Sequence, residues 1–320
     1  MIDFTTLQGL TIPEGVVTQI AKDGVVLWKL ETSKPVILEV EKITSDTYAG
    51  ETTYTGEEFI LLDIYPKTNG TVSVTYGGLT KTITDTSGAE SPNAQKVFFG
   101  TFNGVSDSVA TPTSGALTIS GDVYAFSVSS YTQSKSYATY CGCIISIRDW
   151  GAVEIITNSA FRYCTGLTNI DIPDGVTAIG DNAFTGCESI TNIKIPSNVK
   201  IIGNRAFSGC KGLSSVTIEN GLQTICAGAF MSCAITDFTI PASVTKIEDF
   251  VWSQCENLTR VTVLATTPPT FSPTDGKVLF AGCKITTNGS GTVIVPKGCG
   301  AAYKAADGWK DVEYNIVEAS

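Results

Sequence analysis

Histidine is absent from all 320 residues. That removes the Ser-His-Asp triad, the Cys-His dyad and every His-ligated zinc site. Charge is also scarce: 16% of residues are charged, the net charge is −10, and no Lys/Arg cluster stands out. Nucleic acid and anionic membrane surfaces need basic patches, so neither is an expected partner. No run approaches the 18 apolar residues of a membrane span, and Met1-Ile2-Asp3-Phe4 opens neither a basic n-region nor an apolar h-region. The expectation is synthesis in the cytosol without a signal peptide. Carboxylates at Asp63, Asp85, Glu90, Asp107, Asp171, Glu219 and Asp275 form no recurring catalytic pair. Gly77-Gly78 and Gly289-Ser290-Gly291 lack a phosphate-binding context and read as turns. Cys141-Gly142-Cys143 has no second pair at zinc-ribbon spacing. No enzyme, cofactor or metal is expected.

What the chain does contain is a repeated phrase: an aromatic, two residues, a cysteine, then aliphatics at fixed steps. The aromatics are Phe161, Phe184, Phe207, Phe230 and Trp252, and the cysteines Cys164, Cys187, Cys210, Cys233 and Cys255, spaced by 23 residues three times and then by 22. A fixed period in the twenties predicts a stacked solenoid. One coil runs Phe161, Cys164, Leu167, Ile170, Ile172, Pro173, Val176, Ile179. The third coil has Glu219 where its neighbours have proline, and the fourth has lost one residue between Cys233 and Ile235. The aromatic-to-Cys step suits a helical or 3₁₀ turn, the I-x-I step suits a strand with two inward residues, and proline ends that strand. The phased cysteines, with Cys141 and Cys283, read as small apolar core fillers. Cys143, Cys226 and Cys299 fall outside the phase and are free or paired. Cys141, Ile144, Ile147, Val153 and Ile156 form a worn first coil, and Phe280, Cys283, Val293, Val295 and Pro296 echo the phrase after an excursion at Thr266–Pro273. That excursion reads as a termination device or, alternatively, a binding loop.

The preceding chain predicts strands throughout, so the fold class is mainly β. Residues 1–33 form a β-hairpin leader, with Val16–Ala21 and Val25–Trp28 joined at Lys22-Asp23-Gly24. Residues 34–134 carry seven strand candidates: Val36–Val40, Phe59–Ile64, Thr71–Tyr76, Leu79–Thr84, Val97–Phe102, Ala116–Ile119 and Val123–Val128. Turn signals between them suggest an immunoglobulin-like β-sandwich. The solenoid then occupies residues 135–296, with short helical turns, and a C-terminal cap residues 297–320. Tyr303–Trp309 is the expected lid over the last coil.

Outward positions follow from the inward ones. The first column is Thr168, Thr191, Ser214, Thr236 and Thr259; the second is Asn169, Asn192, Ser215, Asp237 and Arg260; the third is Asp171, Lys194, Thr217, Thr239 and Thr262. Together they make a neutral, hydroxyl-rich strip able to hydrogen-bond a glycan or a protein edge. The competing reading is a solvated face of good β-formers.

The phrase Ala183-Phe184-x-x-Cys187-x-x-Ile190-x-x-Ile193-x-Ile195-Pro196-x-x-Val199-x-x-Ile202-Gly203 resembles the BspA-type leucine-rich repeat, and the resemblance covers about half of the chain. Ile147–Gly151 resembles the opening coil of such arrays. Ala265–Pro269 and Val295-Pro296…Tyr303–Ala306…Gly308-Trp309 resemble their closing segment. The resemblance implies a bacterial surface or secreted protein engaged in adhesion, with no catalytic residues carried over. Separately, Ile12–Ile20 with Val26-Leu27-Trp28, and the stretches Gly70–Gly88 and Val97–Val105, resemble tail-associated structural proteins of phages and prophages of gut Firmicutes. This second resemblance implies a virion component made in the bacterial cytoplasm and released by lysis. Its front end would dock to other tail proteins, and its solenoid would contact a host-surface protein or glycan. Two alternatives stand beside it: a cell-surface adhesin of the BspA type, and a carboxylate-dependent glycan depolymerase. No coiled-coil heptad is visible, so a homo-oligomer is neither specified nor opposed.

Overall fold

The computed structural model describes residues 36–40, 46–48, 51–53, 59–66, 71–76, 79–84, 95–102, 105–106, 115–121, 123–128, 144–150, 153–272, 279–287 and 291–320. The leader hairpin, Cys141 and Cys143 lie outside these residues. The front strands are β1 (Val36–Val40), β2 (Asp46–Tyr48), β3 (Glu51–Thr53), β4 (Phe59–Pro66), β5 (Thr71–Tyr76), β6 (Leu79–Thr84), β7 (Gln95–Phe102), β8 (Val105–Ser106), β9 (Gly115–Gly121) and β10 (Val123–Val128), followed by β11 (Ile144–Trp150). All seven strand candidates appear, four with the expected ends. They pair antiparallel into a five-stranded sheet of order β11-β1-β9-β5-β6 and a four-stranded sheet of order β10-β4-β7-β8. Strict alternation in β5 explains its place: Val72 and Val74 are fully buried. On the other side, Ser73 and Thr75 meet Thr82 and Thr80 of β6 through hydroxyl pairs at 3.2 and 2.8 Å.

β11 departs from expectation. Instead of only a worn first coil, it is also a strand of the front sheet, paired antiparallel with β1 from Val36↔Trp150 to Val40↔Ile144. A parallel bridge at Ser146↔Asn169 then starts the solenoid. Ile147 and Trp150 are buried, as are Val153 and Ile156 after them.

The solenoid strands alternate between two faces: β12 (Ile155–Ile156), β13 (Ala178–Ile179), β14 (Asn192–Ile195), β15 (Ile201–Ile202), β16 (Ser215–Ile218), β17 (Thr224–Ile225), β18 (Asp237–Ile240), β19 (Lys246–Glu248), β20 (Arg260–Val263), β21 (Thr270–Ser272), β22 (Thr292–Val295) and β23 (Ile316–Glu318). The four-residue strands supply the predicted I-x-I face. The short strands between them form a second, six-stranded parallel sheet, β12-β13-β15-β17-β19-β21, which the sequence reading did not anticipate, whereas the three-residue β23 joins the first face. Among the described residues, helix is limited to α1 (Lys284–Thr287), α2 (Gly300–Ala305) and a 3₁₀ turn at Lys310–Asn315.

Between the two sheets runs an aromatic ladder. Phe161, Phe184, Phe207 and Phe230 stack at centroid separations of 5.3, 5.2 and 5.4 Å with planes within 8° of parallel. Trp150 meets the first ring edge-on at 5.6 Å, and Trp252 stacks on Phe280 at 5.3 Å. The aromatic-to-Cys step is a 3₁₀-type turn, with the Cys187 N–H donating to the Phe184 carbonyl at 3.1 Å. That carbonyl has a second lone pair in a dry core, and the next coil's thiol takes it: Cys210 Sγ donates to Phe184 O at 3.2 Å. Cys187, Cys233, Cys255 and Cys283 do the same to Phe161, Phe207, Phe230 and Trp252 at 2.9–3.2 Å. A thiol is small and apolar enough for the core yet carries a weak donor, which accounts for cysteine at this position. Burial pushes the Cys210 and Cys283 thiols up to about 12 and the Cys255 thiol up to about 11. Cys226 and Cys299, outside the repeat phase, are free thiols.

Tyr303 and Trp309 are fully buried. The Tyr303 hydroxyl donates to Ala265 O at 2.7 Å and the Trp309 indole N–H to Pro269 O at 3.4 Å. The Thr266–Pro273 excursion is therefore tied down: its described part enters the second sheet as β21 and accepts hydrogen bonds from the cap. This is the termination role.

Candidate functional site

The broadest regular surface is the outer face of the four-residue strands. In-register pairing builds its columns. Asn192 sits beside Ser215 and Lys194 beside Thr217. Asp237 sits beside Arg260 and then Thr292, and Thr239 beside Thr262. In the first coil single bridges place Asn169 beside Ser146 and Asp171 beside Lys194. Alternation along each strand turns the aliphatics inward and these side chains outward. Thr168, Asn169, Asp171, Thr191, Asn192, Lys194, Ser214, Ser215, Thr217, Thr236, Asp237, Thr239 and Arg260 are exposed, and Thr259 and Thr262 are half-buried.

Two ion pairs lie on this face. Arg260 donates to Asp237 at 3.1 Å across one rung. Lys194 pairs with Glu219 at 2.8 Å. Glu219 also accepts the Ser197 N–H at 3.1 Å, so the residue that replaces proline at the end of β16 reaches back to the preceding coil. The hydrogen bond to Lys194, then the Ser197 N–H and the lysine charge, hold the Glu219 carboxyl below the usual range, and the same pair raises Lys194. Sequence reasoning left Glu219 out of the face because its partner lies a whole coil away.

A second omission lies at the far end. β23 pairs with β22 as Val293↔Ile316 and Ile294↔Val317. It thereby extends the columns with Asn315 and Val317, and Tyr314 follows Gly291 in the first. Tyr314 is 94% exposed and Val317 46%. The only signal was the short β-branched pair Ile316-Val317, too brief to recognise outside the repeat phase.

Hydroxyls, amides and closed ion pairs on a flat rung-by-rung face offer many weak, directional contacts and no convergent acid–base pair. Among the described residues no group of three or more His, Cys, Asp or Glu side chains is placed to hold a metal ion. No described helix is long and apolar enough to cross a membrane. Asp85, Glu90, Asp107 and Asp275 lie outside the described residues, whereas Asp171 and Glu219 lie on the face itself.

Residues 130–264 match the family model described as the BspA type leucine rich repeat region, in six copies. Among solved structures, the chain is similar to a leucine rich cell surface protein from Faecalibacterium prausnitzii A2-165, with 33% identity over 40% of this chain and 35% of that one and a TM-score of 0.37. It is also similar to a leucine-rich repeat protein from Bacteroides ovatus ATCC 8483, with 28% identity over 53% of this chain and 48% of that one and a TM-score of 0.36. The T. pallidum leucine rich repeat protein TpLRR shares 29% identity over 37% of this chain and 58% of that one, with a TM-score of 0.35. The chain thus spans about a third to three fifths of these proteins' lengths. No curated protein matches it. None of the matches supports the resemblance of the front end to phage tail proteins.

Proposed function

We propose that this chain, built around a BspA-type leucine-rich-repeat region, is a non-enzymatic binding protein of the bacterial surface: an adhesin that contacts a host-surface protein or glycan through its outer sheet face. The observation that carries this reading is the set of in-register columns, in which the rungs from Asn169 to Arg260 present polar side chains and the Lys194–Glu219 and Asp237–Arg260 ions are paired. Such a face binds by summing modest hydrogen bonds, and display in many copies would raise the avidity. In this reading the front sheets form an immunoglobulin-like sandwich that spaces the solenoid from its anchorage, and the protein works outside the cell. The virion reading rests on the front-end resemblance alone, so the adhesin is preferred to it.

The test is binding of the purified protein to immobilised mucin and fibronectin by biolayer interferometry, with Thr191→Ala/Asn192→Ala as the face variant. Two lost hydrogen bonds of about 0.5–1.5 kcal/mol each weaken binding roughly tenfold. Equal binding by wild type and variant, or none by either, counts against the proposal.

A further inference from the structure

The outer sheet is not continuous. β14 pairs with β16, and β18 with β20, β22 and β23, but no backbone hydrogen bond joins β16 to β18. Elsewhere the third and fourth coils are fully laced. β17 pairs with β19 in the second sheet, Phe207 N–H reaches Ala229 O at 2.8 Å, and Asn220 and Ser243 meet at 3.1 Å. The break is a seam confined to the candidate binding face.

Its cause is in the sequence. The fourth coil is one residue short between Cys233 and Ile235, and it carries Phe238 where other coils have Ile193, Val216 and Val261. The Phe238 ring turns inward between Phe230 and Trp252, at 5.2 and 5.1 Å and edge-on to both. β18 follows its ring and leaves β16 without a partner on that edge. The aliphatics of β16 record the opening: Val216 and Ile218 are half-exposed, whereas Ile193, Ile195, Phe238 and Ile240 are buried.

The groups bordering the seam can be identified. Ser215 and Glu219 donate backward to Thr191 and Ile195, and backbone groups alternate sides along a strand. The N–H and C=O of Val216 and Ile218 therefore face the seam. Arg260 and Leu264 donate to Thr236 and Ile240, so those of Asp237 and Thr239 face it from the opposite edge. The rim is Ser215, Thr217 and Thr239, with the Lys194–Glu219 and Asp237–Arg260 pairs outside it.

We propose that this seam is the specific recognition site of the face and that its ligand is a neutral glycan. The inference rests on the reading of this face as a binding surface. Magnitudes exclude an inserted peptide strand, which needs two ladder spacings, about 9.6 Å, between its neighbours. β16 and β18 instead keep Cα atoms within 8 Å of each other. Single hydroxyl groups need far less width than a strand. Each is donor and acceptor at once and so satisfies alternating N–H and C=O groups from either edge. Sugar C–H faces suit the half-exposed Val216 and Ile218, and the closed ion pairs offer nothing to a charged ligand.

The experiment titrates the full chain with maltohexaose, cellohexaose, mannohexaose and chitohexaose by calorimetry, with heparin and an extended Thr/Val peptide as the other arms. Amide hydrogen exchange is followed in parallel. The expected result is binding of at least one neutral hexasaccharide, with exchange at Val216, Ile218, Asp237 and Thr239 slowed about tenfold or more on binding. Closing the seam, by inserting one residue after Cys233 together with Phe238→Val, should abolish that binding and slow the same four amides without ligand. The inference is overturned if no neutral hexasaccharide binds, if only heparin or the peptide binds, or if a bound hexasaccharide leaves those amides unchanged. Mucin or fibronectin binding that depends on Thr191 and Asn192 but leaves the four amides unchanged would retain the adhesin reading and reject the seam.

Discussion

Replacing Phe207 with alanine tests the ladder on which the solenoid depends. Phe207 is fully buried, and its ring lies 5.2 Å from Phe184 and 5.4 Å from Phe230, nearly parallel to both. Removing a buried phenyl ring loses its transfer free energy and leaves a cavity, about 3–5 kcal/mol together. The upper part of that range applies, because the rings above and below are held by backbone bonds such as Phe184 N–H to Ala206 O at 2.7 Å and cannot collapse inward. For a cooperative unit of this size each kcal/mol lowers Tm by about 2–4 °C, so the expected drop for about 4–5 kcal/mol is roughly 8–20 °C. Urea unfolding followed by circular dichroism gives the free energy, and an unchanged m-value shows that the same surface unfolds. A double-mutant cycle with Phe184→Ala should return a coupling of about 0.5–1.5 kcal/mol for the stacked pair. Ile201→Ala, on the outside of the second sheet at 45% exposure, is the control. A loss at Phe207 below about 0.5 kcal/mol, indistinguishable from that control, refutes the reasoning.

The thiol ladder makes stability sensitive to alkali. Folding raises Cys210 and Cys283 from 9.0 to about 12 and Cys255 to about 11, so above pH 9 the unfolded chain has released protons that the native one retains. Stability is full below pH 9 and declines from there to pH 12, by about 1.4 kcal/mol per pH unit for each such thiol. Cys210→Ala should flatten this slope in denaturation series from pH 8 to 11, and an unchanged slope would contradict the assignment. At neutral pH, maleimide labelling read by mass spectrometry should modify Cys299 and, more slowly, Cys226, while Cys187, Cys210, Cys255 and Cys283 react only after unfolding; early labelling of Cys210 would deny its burial. Gly209 has φ +73°, and a Cβ there would meet nothing nearer than 3.8 Å, so Gly209→Ala isolates the backbone cost of the left-handed conformation. That cost is about 1–2 kcal/mol by thermal unfolding, and a stabilised variant would contradict the geometry.

The solenoid was legible because its signals recur. Phe184, Cys187, Ile193 and Ile195 repeat at one period, and a column of inward residues fixes the outward ones by alternation. The second sheet was not legible. Strands as short as Ala178–Ile179 have no alternation to detect, and their outward residues run from Ile201 to Lys246 without pattern. The front strands were found one by one from β-propensity and turns, but their pairing was not, since β1 meets β11 more than a hundred residues later. The shortened fourth coil was visible in the sequence. Its consequence was not, because it depends on where the Phe238 ring goes. The same holds for Glu219, read as a missing proline until its carboxylate is seen on Lys194.

The first three coils hand their backbone donors to the next at one offset: Asn182 to Asn204, Phe184 to Ala206, Gly186 to Ser208, and again Arg205 to Ala227, Phe207 to Ala229, Gly209 to Met231. Coils of this kind are interchangeable cassettes. Duplication of a 23-residue segment within the first three coils would lengthen the rod by one rung, about 4.8 Å, with every bond remade in kind. The short fourth coil has no such freedom. Copying it would import a second discontinuity, so growth by gene duplication is expected upstream of it.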